Sequence, residues 1–162
     1  MKELQMKQNR LDKFVCENNN IENPGDLVLN KITALDVEFG ELANEIQFFK
    51  HWKKNKLIDK AKVIEEACDC LHFILSLAND NDVNLQVMAY GTFTREIDTL
   101  YRYIKATLWK DIYLEDKWEE GLKRILMLLV AMIEELDFTY SDLLREYDRK
   151  YEINIKRQKE GY

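Results

Sequence analysis

Apolar residues recur at three- and four-residue intervals along most of the chain, the spacing that lines one face of an α-helix. Leu4, Leu11, Phe14 and Val15 predict a first helix over about Lys2 to Glu17. The Asn18-Asn19-Asn20 run ends it, and Pro24-Gly25-Asp26 reads as a turn. Leu35, Leu42, Ile46 and Phe49 form the buried stripe of a second helix reaching about Lys53, with Asp26 or Asn30 as its cap. After the basic stretch Lys53-Lys54-Asn55-Lys56, Asp59 caps a third helix through Leu77, with Val63, Ile64, Leu71, Ile74 and Leu75 facing inward. Asn79-Asp80-Asn81-Asp82 breaks the pattern. A fourth helical stretch is expected over about Leu85 to Leu108, with an interruption near Gly91, and a fifth over about Lys117 to Glu134, where Ile125, Leu126, Leu128, Leu129 and Ile133 cluster. Thr139 or Ser141 starts a last helix to about Lys156. No segment alternates with period two for long enough to predict a strand.

Composition agrees. One proline and five glycines leave few turns, and 46% hydrophobic against 33% charged residues suits a core with a charged surface. At 162 residues the chain is read as one domain, 1–162, with a variable helical insertion at about 81–117. The expectation is an all-α bundle of about six helices with a four-helix catalytic core. No run approaches the roughly 18 apolar residues that span a membrane, and the start, Met-Lys-Glu-Leu-Gln, has no signal-peptide apolar region. Cys16, Cys68 and Cys70 lack a framework spacing and suit reduced thiols, hence a cytoplasmic protein. A net charge of −6 argues against nucleic acid as a partner.

Two acidic steps change the picture. Glu38-Phe39-Gly40-Glu41 and Glu66-Ala67-Cys68-Asp69 each set two carboxylates three residues apart, on one face of a helix. A single such pair is ordinarily solvated surface. Here both lie inside apolar segments, where carboxylates are costly to bury unless paired or metal-bound. Folding the two helices back on each other would converge four carboxylates, which repel unless a cation sits among them. All-oxygen ligation favours Mg²⁺, or Mn²⁺, over iron. A di-iron bundle wants two Glu-x-x-His steps, and only Asp69-Cys70-Leu71-His72 comes near. Glu45 and Glu65 stand close by as outer ligands or plain surface. Lys150, Asn154 and Arg157 share a face of the last helix and could grip phosphate, or simply be a solvated basic tail. Gln5 and Asn9 share a face of the first, where two amides can read a pyrimidine edge or be ordinary surface.

In order along nearly the whole chain, these motifs resemble the dimeric dUTPases, a branch of the all-α NTP pyrophosphohydrolases that includes MazG-like proteins. The resemblance is carried by Leu4-Gln5-Met6-Lys7-Gln8-Asn9, by Val37-Glu38-Phe39-Gly40-Glu41-Leu42-Ala43-Asn44-Glu45, and by Phe49-Lys50-His51-Trp52. It continues in Glu65-Glu66-Ala67-Cys68-Asp69-Cys70-Leu71-His72-Phe73 and closes from Lys150 through Asn154 to Arg157-Gln158 and Gly161-Tyr162.

The resemblance implies that Glu38, Glu41, Glu66 and Asp69 hold Mg²⁺ ions bridging a triphosphate, with Glu38 orienting and deprotonating the attacking water. Lys150, Asn154 and Arg157, with Lys50, become phosphate contacts. Gln5 and Asn9 become uracil readers, and His72, Phe73 and Trp52 base and sugar contacts. It further implies a homodimer that hydrolyses dUTP, with dUDP left open, to dUMP and pyrophosphate, limiting uracil in DNA. dTTP would be rejected by crowding at the 5-position and dCTP by amide orientation. Two other readings compete: a MazG-like pyrophosphohydrolase of different or broader nucleotide preference, and a helical interaction module whose acidic cluster is only surface.

Overall fold

The computed structural model describes residues 1–86 and 96–161. Six α-helices account for most of them: α1 (Lys2–Asn18), α2 (Val28–Ile46), α3 (Lys60–Asp80), α4 (Ile97–Ala106), α5 (Trp118–Glu134) and α6 (Tyr140–Lys159). A 3-10 turn, Pro24–Leu27, runs directly into α2, and α4 continues as a π-helical segment, Thr107–Leu114. Among the described residues there is no strand, and no helix is long and apolar enough to cross a membrane.

The helix ends follow local chemistry. The Asp59 carboxylate accepts hydrogen bonds from the backbone N–H of Ala61 and Lys62, meeting two of the donors a helix start leaves unpaired. Thr139, rather than Ser141, caps α6 in a reciprocal box with Asp142. Neither Asp26 nor Asn30 caps α2, because the 3-10 turn already supplies the entry and Leu27 takes the cap position without a side-chain bond. That helix also stops at Ile46, short of Lys53: Gln47 adopts left-handed backbone with φ 61°. The Gln47 amide then donates to the Leu57 carbonyl at 2.9 Å and accepts from Lys53 at 3.0 Å, knitting the following loop together. Phe49 therefore lies exposed in that loop instead of continuing the buried stripe.

Downstream, α3 runs on to Asp80, three residues past Leu77. Residues 83–86 are not helical, although Val83 and Leu85 are buried. The expected interruption at Gly91 lies outside the described residues. The fourth helical stretch is seen from Ile97 and extends past Leu108 to Leu114 by loosening into π geometry. There Gly121 of α5 packs so close that a β-carbon would stand 2.5 Å from Cγ1 of Ile112.

α3 is the central element, packed against α1, α2, α5 and α6. Between Ala67 and Ala78 it is apolar around most of its circumference, the mark of a buried helix. Leu35, Phe39 and Leu42 of α2 and Ala67, Leu71 and Ile74 of α3 are fully buried in one core. The larger of these side chains contribute about 1.5–3 kcal/mol each on burial. Ile125, Leu126, Leu128, Leu129 and Ile133 of α5 join them, as their spacing predicts. The side of α3 that carries Asp69, His72, Phe73 and Ser76 lines a cleft shared with α1, α2 and α6.

Candidate active site

Glu38 emerges from α2 at the edge of the stripe made by Leu35 and Leu42, and Glu66 and Asp69 emerge from the facing side of α3. Packing brings ligand oxygens of these three carboxylates within 4.8 Å of one another. Glu41, one helical step from Glu38, is exposed and stands outside this tight group, yet its charge acts on all three. Burial, followed by the charges of Asp69, Glu41 and Glu66, pushes the Glu38 pKa up to about 7. Glu66 is raised by burial and then by Asp69. Asp69 is raised by burial, against a hydrogen bond that Lys150 donates to it.

That lysine comes from α6. Its ammonium bonds the Asp69 carboxylate and pairs with Glu65 at 3.2 Å, and the residue is only 7% exposed. A buried ammonium needs such partners. Glu65, whose place as ligand or surface was open in the sequence, is therefore an anchor for Lys150. Farther along the same face of α6, Asn154 and Arg157 line the cleft.

The cleft encloses about 550 Å³ between α1, α2, α3 and α6, a size suited to a small-molecule ligand. Glu38 and Asp69 of the carboxylate group line it, together with His72 and Phe73 of α3 and Gln8 and Asp12 of α1. Gln8 is 4% exposed. Burial raises the proton affinity of Asp12, and a hydrogen bond from Gln8 opposes that shift.

Four residues singled out in the sequence lie elsewhere. Gln5 faces a separate surface depression, where its amide donates to the Val83 carbonyl at 2.8 Å and accepts from the Leu85 N–H at 3.1 Å. It fastens the chain that leaves α3. Asn9 is exposed and lines that depression and a neighbouring one. Lys50 donates to the Asn44 carbonyl at 2.9 Å, with its ammonium over the Phe49 ring. Trp52 is exposed and packs edge-on against Phe49 and His51. The amide and carboxylate of α1 that do line the cleft are Gln8 and Asp12, which the sequence pattern does not single out as a pair. A signal was present for Gln8, since it lies at i+4 from Leu4 and i−3 from Leu11, on the apolar side of the helix.

A sequence model of the dUTPase family matches residues 1–162. The chain belongs to the dUTPase family. A search of curated proteins finds no match to it. Membership points to a nucleotide hydrolase that uses a divalent metal, and the all-helical fold is consistent with the all-α branch. The donor set fits such an ion: three converging carboxylates supply hard oxygen ligands of the kind Mg²⁺ takes. His72 stands apart from the group, with Nδ1 directed at Gln8, so a histidine-containing iron site finds no support there.

Proposed function

We propose that this chain is a dUTP diphosphatase that hydrolyses dUTP to dUMP and pyrophosphate with Mg²⁺, or Mn²⁺ in its place, so limiting uracil in DNA. The observation that carries the reading is the cleft itself. Its lining joins Glu38 and Asp69 of the carboxylate triad to Asn154 and Arg157 and to His72 and Phe73. That combination suits a molecule that joins a polyphosphate to a nucleoside. We further propose a single domain, from the chain length, that works in the cytoplasm, from the cysteine usage; the family resemblance adds a homodimer and the 81–117 stretch as a variable insertion.

Glu38, Glu66 and Asp69, with Glu41 beside them, would hold the metal, which when bound neutralises phosphate charge and lowers the pKa of water. Glu38 takes the proton from the attacking water. Burial is the first cause of its raised proton affinity in the metal-free protein, followed by the charges of Asp69, Glu41 and Glu66. Arg157 and Asn154 hold phosphate oxygens in line with the attack, and Lys150, at i−4 from Asn154 on α6, adds charge. Phe73 offers a flat apolar surface to the sugar and base, and His72 a polar ring edge.

The test is to incubate the purified chain with dUTP, dUDP and each of the four standard dNTPs in Mg²⁺ or Mn²⁺, quantifying monophosphate, pyrophosphate and phosphate. Glu66→Gln and Glu41→Gln run in parallel. Selective release of dUMP and pyrophosphate, lost in Glu66→Gln, supports the proposal. Turnover of several dNTPs would replace it with a broader pyrophosphohydrolase, and no turnover of any would favour a helical interaction module.

A further inference from the structure

The α1 side of the cleft contains a hydrogen-bond chain whose direction is dictated at one end. Nε2 of Gln8 donates to Oδ1 of Asp12 at 2.7 Å. With Asp12 ionised its oxygens can only accept, which holds the nitrogen of the Gln8 amide toward Asp12 and the oxygen away. That oxygen accepts the Tyr147 hydroxyl at 3.0 Å and lies 2.7 Å from Nδ1 of His72. An amide oxygen also only accepts, so the hydrogen of the His72 ring must sit on Nδ1.

His72 is held firmly in this arrangement. It is 6% exposed, and its ring stacks on Tyr147 with centroids 4.3 Å apart. Burial, helped by the Lys150 charge, pushes its pKa down to about 3, so the ring carries one hydrogen rather than two. With that hydrogen on Nδ1, Nε2 is a bare lone pair. This atom is buried and has no partner, although His72 lines the cleft. Buried polar atoms are rarely left unpaired, and one that is left so beside a ligand-sized cavity points to a ligand.

We propose that Asp12 is a positioning residue that, through Gln8, locks His72 in the Nδ1–H form, so that Nε2 accepts a hydrogen bond from the bound nucleotide. The identity of that nucleotide rests on the dUTP reading; the polarity of the site does not. On the nucleoside part of a deoxyuridine 5′-nucleotide the groups able to donate are the base N3–H and the 3′-hydroxyl. The site therefore demands a donor, and a ligand that presents only lone pairs at that point leaves two acceptors facing each other. An amide at position 12 offers a donor and an acceptor alike. Asp12→Asn would free Gln8 to turn over, and the His72 hydrogen could then move to Nε2.

Long-range ¹H–¹⁵N correlation of histidine-labelled protein at neutral pH reads the tautomer directly, with His51→Gln to assign the two rings. The wild-type protein is expected to show His72 with hydrogen on Nδ1 and a bare Nε2. Adding dUMP should move the Nε2 resonance into the hydrogen-bonded range. One of the two analogues lacking a donor, N3-methyl-dUMP or 2′,3′-dideoxy-UMP, should fail to do so and bind on the order of tenfold more weakly. Asp12→Asn should yield a mixture of tautomers while the far-ultraviolet helical signal is retained. A wild-type His72 bearing hydrogen on Nε2 would overturn the proposal. So would an Nε2 resonance that ignores bound dUMP, or an Asp12→Asn variant with an unchanged tautomer. If dUMP does not bind while the tautomer and its dependence on Asp12 are as expected, the dUTP reading falls and the positioning role of Asp12 stands.

Discussion

The Lys150 ammonium on α6 is bonded to the Asp69 carboxylate on α3, which places the chain's own cation at the edge of its acidic cluster. Three carboxylates converging in a half-buried site repel one another. Lys150 offsets part of that charge from within the protein, and Glu65 holds it there.

Lys150→Met should therefore destabilise the metal-free protein by about 3 kcal/mol, the lower end for breaking a buried ion pair because Glu65 is partly exposed. Mg²⁺ should recover part of that loss. Urea unfolding in EDTA and in Mg²⁺ measures both, and a variant whose stability gains no more from Mg²⁺ than the wild type's would contradict this role.

The acidic cluster also predicts how stability depends on pH without metal. The folded-state pKa of Glu38, about 7, lies above the ordinary glutamate value, so the folded protein binds that proton more tightly than the unfolded chain. The resulting stabilisation is fully present below the unfolded pKa and is lost as pH rises through about 7. His72 contributes the opposite slope: its pKa is pushed down to about 3, so its contribution grows as pH rises toward the ordinary histidine value. The informative quantity is thus the difference between wild type and Glu38→Gln in EDTA. Relative to that variant, the wild-type midpoint of thermal unfolding should fall between about pH 5 and about pH 7. Saturating Mg²⁺ should flatten the difference.

Gln5 and Gln8 separate a clasp from a site. Gln5→Ala removes the bonds to Val83 and Leu85 and should cost about 1–2 kcal/mol of stability while leaving nucleotide preference unchanged. Gln8→Ala frees His72 and should change KM for dUTP. Chemical denaturation and steady-state kinetics on the two variants give the comparison, and a change of substrate preference in Gln5→Ala would refute it.

Gly121 is a steric requirement. Gly121→Ala sets a methyl group against Ile112 and should destabilise the protein by about 1–3 kcal/mol through overpacking. Since Gly121 is remote from the carboxylates in sequence and lines no part of the cleft, kcat of the folded fraction should hold. Differential scanning calorimetry with activity titrated against folded protein decides the matter.

Much of this protein is local and was legible in the residues. Helix existence follows from apolar spacing and from caps such as Asp59 and Thr139, because a helix satisfies its backbone within its own segment. The pairing of Glu38 with Glu41, and of Glu66 with Asp69, on single helix faces follows from the same periodicity. The tertiary structure decided how the helices are rotated about their axes relative to one another. That rotation turned Gln8 and Asp12 of α1 toward the cleft and Gln5 and Asn9 away, although both pairs of side chains share the same i,i+4 spacing. It brought Glu38, Glu66 and Asp69 together and left Glu41 at the margin. It buried Lys150 against Asp69, when spacing alone made a solvated tail equally natural. Spacing tells which side chains share a face of one helix; only the close packing of Leu35, Phe39 and Leu42 with Ala67, Leu71 and Ile74 determines what each face meets.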